Sequence, residues 1–106
     1  MHVYLCLSPN AHKISIALNE LGLPHTVHKA SCLCDTGEQR AEAFLKLNPA
    51  GRVPVLVDHD ARPEGFVLTE SGAILYYLAA HKDQGNRLLP ADPAGRAEAL
   101  SWVFFQ

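Results

Sequence analysis

The hydrophobic positions of this chain change period along its length, and each change marks an element. His2 to Leu7 is a short, β-prone apolar run. Ser8-Pro9-Asn10 stops it and places a capping hydroxyl and a proline where a helix begins. Ile14, Ala17, Leu18 and Leu21 then fall at i, i+3, i+4 and i+7, one apolar stripe, until Gly22 and Pro24 end the helix. His25 to Lys29 reads as a second strand. Strand, helix and strand in this order imply a parallel pair joined by a right-handed crossover.

Residues 30–37 read as loop, after which Ala41, Phe44 and Leu45 repeat at helical spacing as far as Asn48-Pro49-Ala50-Gly51. Val53 to Asp58 and Gly65 to Leu68 are two β-prone runs joined by the charged turn His59 to Glu64, which predicts a hairpin. Ser71 opens a helix with Ile74, Tyr77 and Leu78 on one side, running to about His81. Residues 82–93 are polar and turn-rich and suit a linker. A new helix starts near Ala94, with Ala97, Leu100 and Phe104 in a stripe. Trp102, Val103 and Phe105 make most of its circumference apolar as well, which predicts burial by something further and hence a truncated chain.

The predicted fold is α/β, with the order βαβ, helix, ββα around a mixed four-stranded sheet, followed by the start of an all-helical second domain. A length of 106 residues suits one domain with a modest core. The 48% hydrophobic and 19% charged composition is that of an ordinary globular chain. A formal charge of −2, with no basic run, argues against nucleic acid as a partner. The longest apolar stretches, Ile74 to Ala80 and Leu100 to Phe105, are far short of the roughly 20 residues that span a membrane. The start lacks a signal peptide's charged region, so a cytoplasmic location is expected. Cys6, Cys32 and Cys34 have no zinc-type spacing and read as reduced thiols, Cys6 as core filler and the other two in a loop. Among His12, His25, His28, His59 and His81 no two sit at i, i+4, so surface histidines rather than a metal site are expected.

Two segments carry chemistry. X-Pro is the one peptide bond for which a cis isomer is cheap, and Val53-Pro54 sits where a strand begins. Glu70-Ser71 lies where a strand hands over to a helix, so first-turn N–H groups and the Ser71 hydroxyl form an anion site, with Glu70 beside it for an ammonium group. The plainer alternatives are a trans proline and a helix cap with an acidic first turn. At the first helix, Ser8 and Asn10 are both placed to donate to an anion, or serve with Pro9 simply to start the helix.

Asn48-Pro49-Ala50-Gly51-Arg52-Val53-Pro54-Val55-Leu56 and Leu68-Thr69-Glu70-Ser71-Gly72-Ala73-Ile74, in this order and spacing and with Leu5-Cys6-Leu7-Ser8-Pro9-Asn10 before them, resemble the amino-terminal, thioredoxin-like domain of cytosolic glutathione transferases. The similarity covers residues 1 to about 81. It implies a glutathione-binding domain over 1–81, a linker over 82–93, and the first helix of a helical domain over 94–106. It also implies a cis Val53-Pro54 bond, with the Val53 backbone on the cysteinyl part of glutathione. Glu70 and Ser71 would hold the γ-glutamyl ammonium and carboxylate, and Ser8 or Asn10, ranked equally, would stabilise the thiolate. Gln39, Arg40 and Arg52 are candidates for the glycyl carboxylate. Thioredoxins and glutaredoxins keep a cysteine pair, or its first member, at this helix start, whereas here the positions are Ser8 and Ala11.

The implied activity is transfer of the glutathione thiolate to a small electrophile in detoxification. Glutathione is the co-substrate, with no metal, and the full-length protein is a homodimer, while the 106-residue piece is inactive or weakly active. Two alternatives stay open. One is a glutathione-dependent disulfide or peroxide reductase, and the other is a non-catalytic binding or scaffold module.

Overall fold

The computed structural model describes residues 1–30 and 42–106. Strand β1 is His2–Leu5, helix α1 Pro9–Leu21, strand β2 Thr26–Lys29, helix α2 Glu42–Leu47, strand β3 Val55–Asp58, strand β4 Phe66–Thr69, helix α3 Ser71–His81 and helix α4 Pro93–Phe104. The four strands form one sheet in the order β2-β1-β3-β4. β1 runs parallel to β2, with Val3 opposite Val27. It runs antiparallel to β3, with Val3 opposite Leu56. β3 and β4 form the hairpin, Val55 opposite Thr69. The mixed sheet and the βαβ, helix, ββα order are those the hydrophobic pattern implies.

Alternation along β1 sends Val3 and Leu5 into the core while His2 and Tyr4 stay half-buried on the other face. β3, bracketed by β1 and β4, is buried along its whole length. Against the core face lie α1 through Ala11, Ile14, Ala17, Leu18 and Leu21, and α3 through Ile74 and Leu78. The α1 stripe is the one its spacing predicts. Ser8 caps α1 by accepting from the Ala11 amide at 3.2 Å, and Pro9 follows where its missing N–H costs nothing. Gly22, at φ 63°, ends it in the left-handed conformation.

Three expectations shift. β1 stops at Leu5 rather than Leu7, because the chain turns there and the Ser8 amide donates to the Cys6 carbonyl at 2.9 Å. Cys6 therefore does not fill the core. It is half-buried, at the rim of a hollow of about 330 Å³ shared with His12, Ser15 and Lys29. β3 begins at Val55 rather than Val53, since Pro54 brings no N–H to the ladder.

The connection between α3 and α4 is tied down. Asp83, with none of its side chain exposed, accepts from the Leu88 amide at 2.9 Å, the Gly85 amide at 3.3 Å and Arg87 Nε at 3.4 Å. Leu89 is buried. Arg87 reaches on to donate to the carbonyls of Glu20 and Leu21 at the end of α1. Helix α4 starts on Asp92, which caps the Gly95 amide at 2.7 Å, and none of its residues is buried. It approaches α3 at Gly72, where a methyl group in place of the hydrogen would lie 3.1 Å from Val103 Cγ1. No helix among the described residues is long and apolar enough to cross a membrane.

Candidate functional site

The strand register gathers the sequence-predicted segments at one end of the sheet. Leu5 ends β1 next to Tyr4, which pairs with Val55, and Val55 in turn pairs with Thr69. Ser8-Pro9-Asn10 follows β1, Val53-Pro54 precedes β3 and Glu70-Ser71 follows β4. All three therefore emerge at the same edge, and the N-termini of α1 and α3 lie there together. Two helix starts at one edge concentrate unpaired N–H groups and positive potential where an anion would sit.

Ser71 is the residue whose environment most needs a ligand. Among the described residues, four polar side chains occur on buried residues: Asn48, Asp58, Ser71 and Asp83. Asn48, Asp58 and Asp83 are engaged by hydrogen bonds. The Ser71 hydroxyl, on a residue only 6% exposed, has no hydrogen-bond partner among the described residues. A buried hydroxyl without a partner is uncommon and calls for an explanation such as a bound group.

Ser71 is also not the cap that its position suggests. It is the first residue of α3, and the capping position falls to Glu70, whose side chain makes no capping bond. The plain cap reading is thereby overturned. Glu70 is exposed and has φ 71°, ψ 119°, a region that residues with a Cβ seldom occupy. The first bond within the helix is from the Ile74 amide to the Glu70 carbonyl at 3.0 Å, and among the described residues no side chain caps the amides before it.

The Val53-Pro54 peptide bond is cis. The loop in front of it is built by Asn48, a buried residue whose part the sequence pattern did not reveal. Asn48 Nδ2 donates to the Arg52 carbonyl at 2.8 Å, and its Oδ1 accepts from the Ala50 amide at 3.1 Å. Its carbonyl accepts from the Gly51 amide at 2.9 Å, with Gly51 at φ 66°. One amide thus closes both sides of the loop and places Val53. The signal for it was the Asn-Pro-x-Gly run, read only as a helix stop. Arg52 is exposed on this loop. Gln39 and Arg40 lie outside the described residues, as do Cys32 and Cys34.

At the start of α1, Ser8 is half-buried and Asn10 exposed. The Ser8 oxygen accepts from Ala11, which leaves its own O–H to be donated elsewhere. Asn10 Oδ1 accepts from Lys13 Nζ at 3.0 Å, and Lys13 also donates to Gln106 Oε1, just beyond the end of α4. Lys13, Ser71, Gly72, Leu75, Trp102, Val103 and Gln106 enclose a cavity of about 130 Å³, so α1, α3 and α4 meet at the Ser71 end of the site. A larger apolar groove of about 610 Å³ runs on between α3 and α4, bounded by Glu70, Tyr76, Val103 and Phe104.

The histidines are less scattered than their spacing suggests. His2 Nδ1 lies 2.9 Å from His28 Nε2, His59 meets His2 edge-on, and His28 stacks on Tyr4. Loss of solvent holds the His2 pKa below its ordinary value, and His28, the chain's amino terminus and His59 push the same way. The parallel pairing of Tyr4 with His28 brings these rings together, a long-range contact that spacing within one strand does not reveal. Among the described residues no cluster of three or more His, Cys, Asp or Glu side chains could hold a metal ion.

The family described as Glutathione S-transferase, N-terminal domain, matches residues 7–81 of this chain. A glutathione transferase of Burkholderia graminis, solved with two glutathione molecules bound per subunit, is 41% identical and superposes with a TM-score of 0.87 over 98% of this chain and 42% of its own. Ure2p in complex with glutathione is 34% identical, with a TM-score of 0.86 over 99% of this chain and 44% of its own. The transcriptional regulator URE2 of Saccharomyces cerevisiae is 39% identical over 104 residues, 93% of this chain and 28% of its own length. The chain thus spans under a third of that curated relative and less than half of those solved structures.

Proposed function

The chain belongs to the glutathione S-transferase family, as its N-terminal domain, and from that membership we propose that it binds reduced glutathione at the shared edge of β1, β3 and β4. The observation that carries this is the buried Ser71 hydroxyl, without a hydrogen-bond partner among the described residues, at the start of α3, where Glu70 makes no capping bond. A carboxylate there accepts from Ser71 and the first-turn amides, in the field of the helix. Glu70 supplies the opposite charge one residue away, so the pair suits a group bearing a carboxylate and an ammonium on one carbon. The γ-glutamyl end of glutathione is such a group. Val53, held by the Asn48 loop, offers backbone groups to the cysteinyl portion, and Arg52 offers a cation for the glycyl carboxylate.

Ser8 and Asn10 then meet the sulfur. Donors at the start of α1 favour the thiolate over the thiol, and a thiolate is the form that attacks an electrophile. In the full-length protein we assign the reaction as transfer of that thiolate to a small, largely apolar electrophile: the sulfur–carbon bond forms as the leaving group departs with its electron pair. The unburied apolar residues of α4 support a further helical part from residue 94 onward that completes the electrophile pocket, with 1–81 as the glutathione-binding unit and 82–93 as its connection.

A second reading has its own support, the similarity to a protein named as a transcriptional regulator. On that reading glutathione binding persists without catalysis. NMR titration of the chain with glutathione tests the binding common to both. Ser71→Ala and Glu70→Gln should each weaken it about tenfold, the value of one charge-assisted hydrogen bond. Unchanged affinity in both variants would remove the assignment. Conjugation of a chloronitrobenzene-type electrophile by the full-length protein then separates enzyme from binding module.

A further inference from the structure

Asn10 is useful to a glutathione thiolate only if its NH₂ group, not its oxygen, faces the sulfur. An amide side chain is nearly symmetric in shape, so something must decide which way round it sits. Lys13 is placed to decide it. The ammonium of Lys13 has donors only, and it meets Asn10 Oδ1 at 3.0 Å. Spacing of i, i+3 puts the two residues on one side of α1, and a long helical side chain leans back toward the N-terminus, over Asn10. The ammonium also meets Gln106 Oε1, just beyond the end of α4, and Lys13 forms a wall of the cavity that Ser71 and Gly72 also line. Lys13 thus has one acceptor within α1 and a second beyond the end of α4.

We propose that Lys13 is a positioning residue for the thiol end of the site: it fixes the Asn10 amide with its oxygen turned to the ammonium and its N–H groups left for the glutathione sulfur. Two consequences follow from the chemistry. Withdrawal of electron density at Oδ1 makes the Asn10 N–H groups stronger donors, so the lysine's charge reaches the thiolate through the amide. Gln106 completes the arrangement by fixing the ammonium, so the seating of α4 bears on the acidity of the bound thiol. Lys13 itself need not touch glutathione.

This inference rests on the reading that Asn10 meets the sulfur, and the experiment separates the two. Glutathione carrying ¹³C at its cysteinyl Cβ is titrated into the chain at successive pH values, and the bound-state shift yields the thiol pKa. S-methylglutathione, which cannot ionise, reports binding alone. Lys13→Met should raise the bound thiol pKa by roughly half a unit to one unit while S-methylglutathione affinity stays within about twofold, and Lys13→Arg should keep most of the effect. Asn10→Ala should raise it too, and the double variant Asn10→Ala, Lys13→Met should rise little beyond Asn10→Ala alone, because the lysine acts through the amide. If Asn10→Ala leaves the thiol pKa unchanged, the role of Asn10 falls and the positioning role with it. If Asn10→Ala shifts it and Lys13→Met does not, the inference about Lys13 alone is overturned. Additive shifts would overturn it as well, since they would show a cation acting independently of Asn10.

Discussion

At the residue scale, Asp58 shows how a charge is kept at the end of the central strand. None of its side chain is exposed, yet it accepts from Tyr77 Oη at 2.7 Å, Lys82 Nζ at 2.8 Å and the Asp60 amide at 2.9 Å. Burial pushes the carboxyl pKa up, but the Lys82, Tyr77 and Asp60 bonds outweigh it and hold it at about 2. The same contact raises Lys82, first through its hydrogen bond to Asp58. The lowered carboxyl pKa makes the folded state bind its proton less readily than the unfolded chain does. Its contribution is therefore complete above the ordinary value of 3.8 and lost as pH falls toward about 2. A difference of this size corresponds to about 2 to 3 kcal/mol. Asp58→Asn should cost about 3 kcal/mol near neutrality, since Lys82 is left partly buried without its counter-charge, and should flatten the acid limb. Urea midpoints between pH 2 and 6 measure both. An acid limb parallel to that of the parent would refute the account.

At the element scale, the connection between α3 and α4 completes α1. A helix leaves its last four carbonyls unpaired, and α1 carries no basic residue in its last turn. The Gly22 amide donates to Asn19, the Leu23 amide to Leu18, and Arg87 to Glu20 and Leu21, so all four are met. The arginine that serves this helix end comes from 66 residues further along the chain. Composition marks 82–93 as polar and turn-rich. What composition could not reveal is that Asp83 folds the segment around its own carboxylate and aims Arg87 at α1. Arg87→Ala should cost about 1 to 2 kcal/mol and speed hydrogen exchange at Leu88, whose amide depends on Asp83. Arg87→Lys should recover little, because one ammonium does not match the two-pronged guanidinium. Undiminished protection of Leu88 in the alanine variant would show that the segment holds without α1.

At the scale of the whole molecule, what the sequence revealed tracks how local its cause was. The α1 stripe, the hairpin and the cap at Ser8 follow from residues a few positions apart, and all three are found, the hairpin strands with ends shifted by one or two residues. The loop work of Asn48, the His2–His28 contact and the Lys13 link to Gln106 depend on residues brought together by the sheet or by helix packing, which no periodicity encodes. The site lay between these cases. Its segments stood out as motifs, but their meeting at one edge, and the bareness of the Ser71 hydroxyl, needed the strand register. Helix α4 bears directly on the remaining prediction. Trp102, Phe104 and Phe105 are 73%, 81% and 77% exposed, so they remove almost no apolar surface from water in this chain. Replacing Phe104 and Phe105 by Ser should change its unfolding free energy by no more than about 0.5 kcal/mol, while lowering its tendency to self-associate. Trp102 is the one tryptophan, so its fluorescence isolates this face. Iodide should quench it nearly as well as free tryptophan, whether or not glutathione is bound. A shielded Trp102, or a loss of more than about 2 kcal/mol in the double serine variant, would mean that α4 packs its aromatic face against this chain after all.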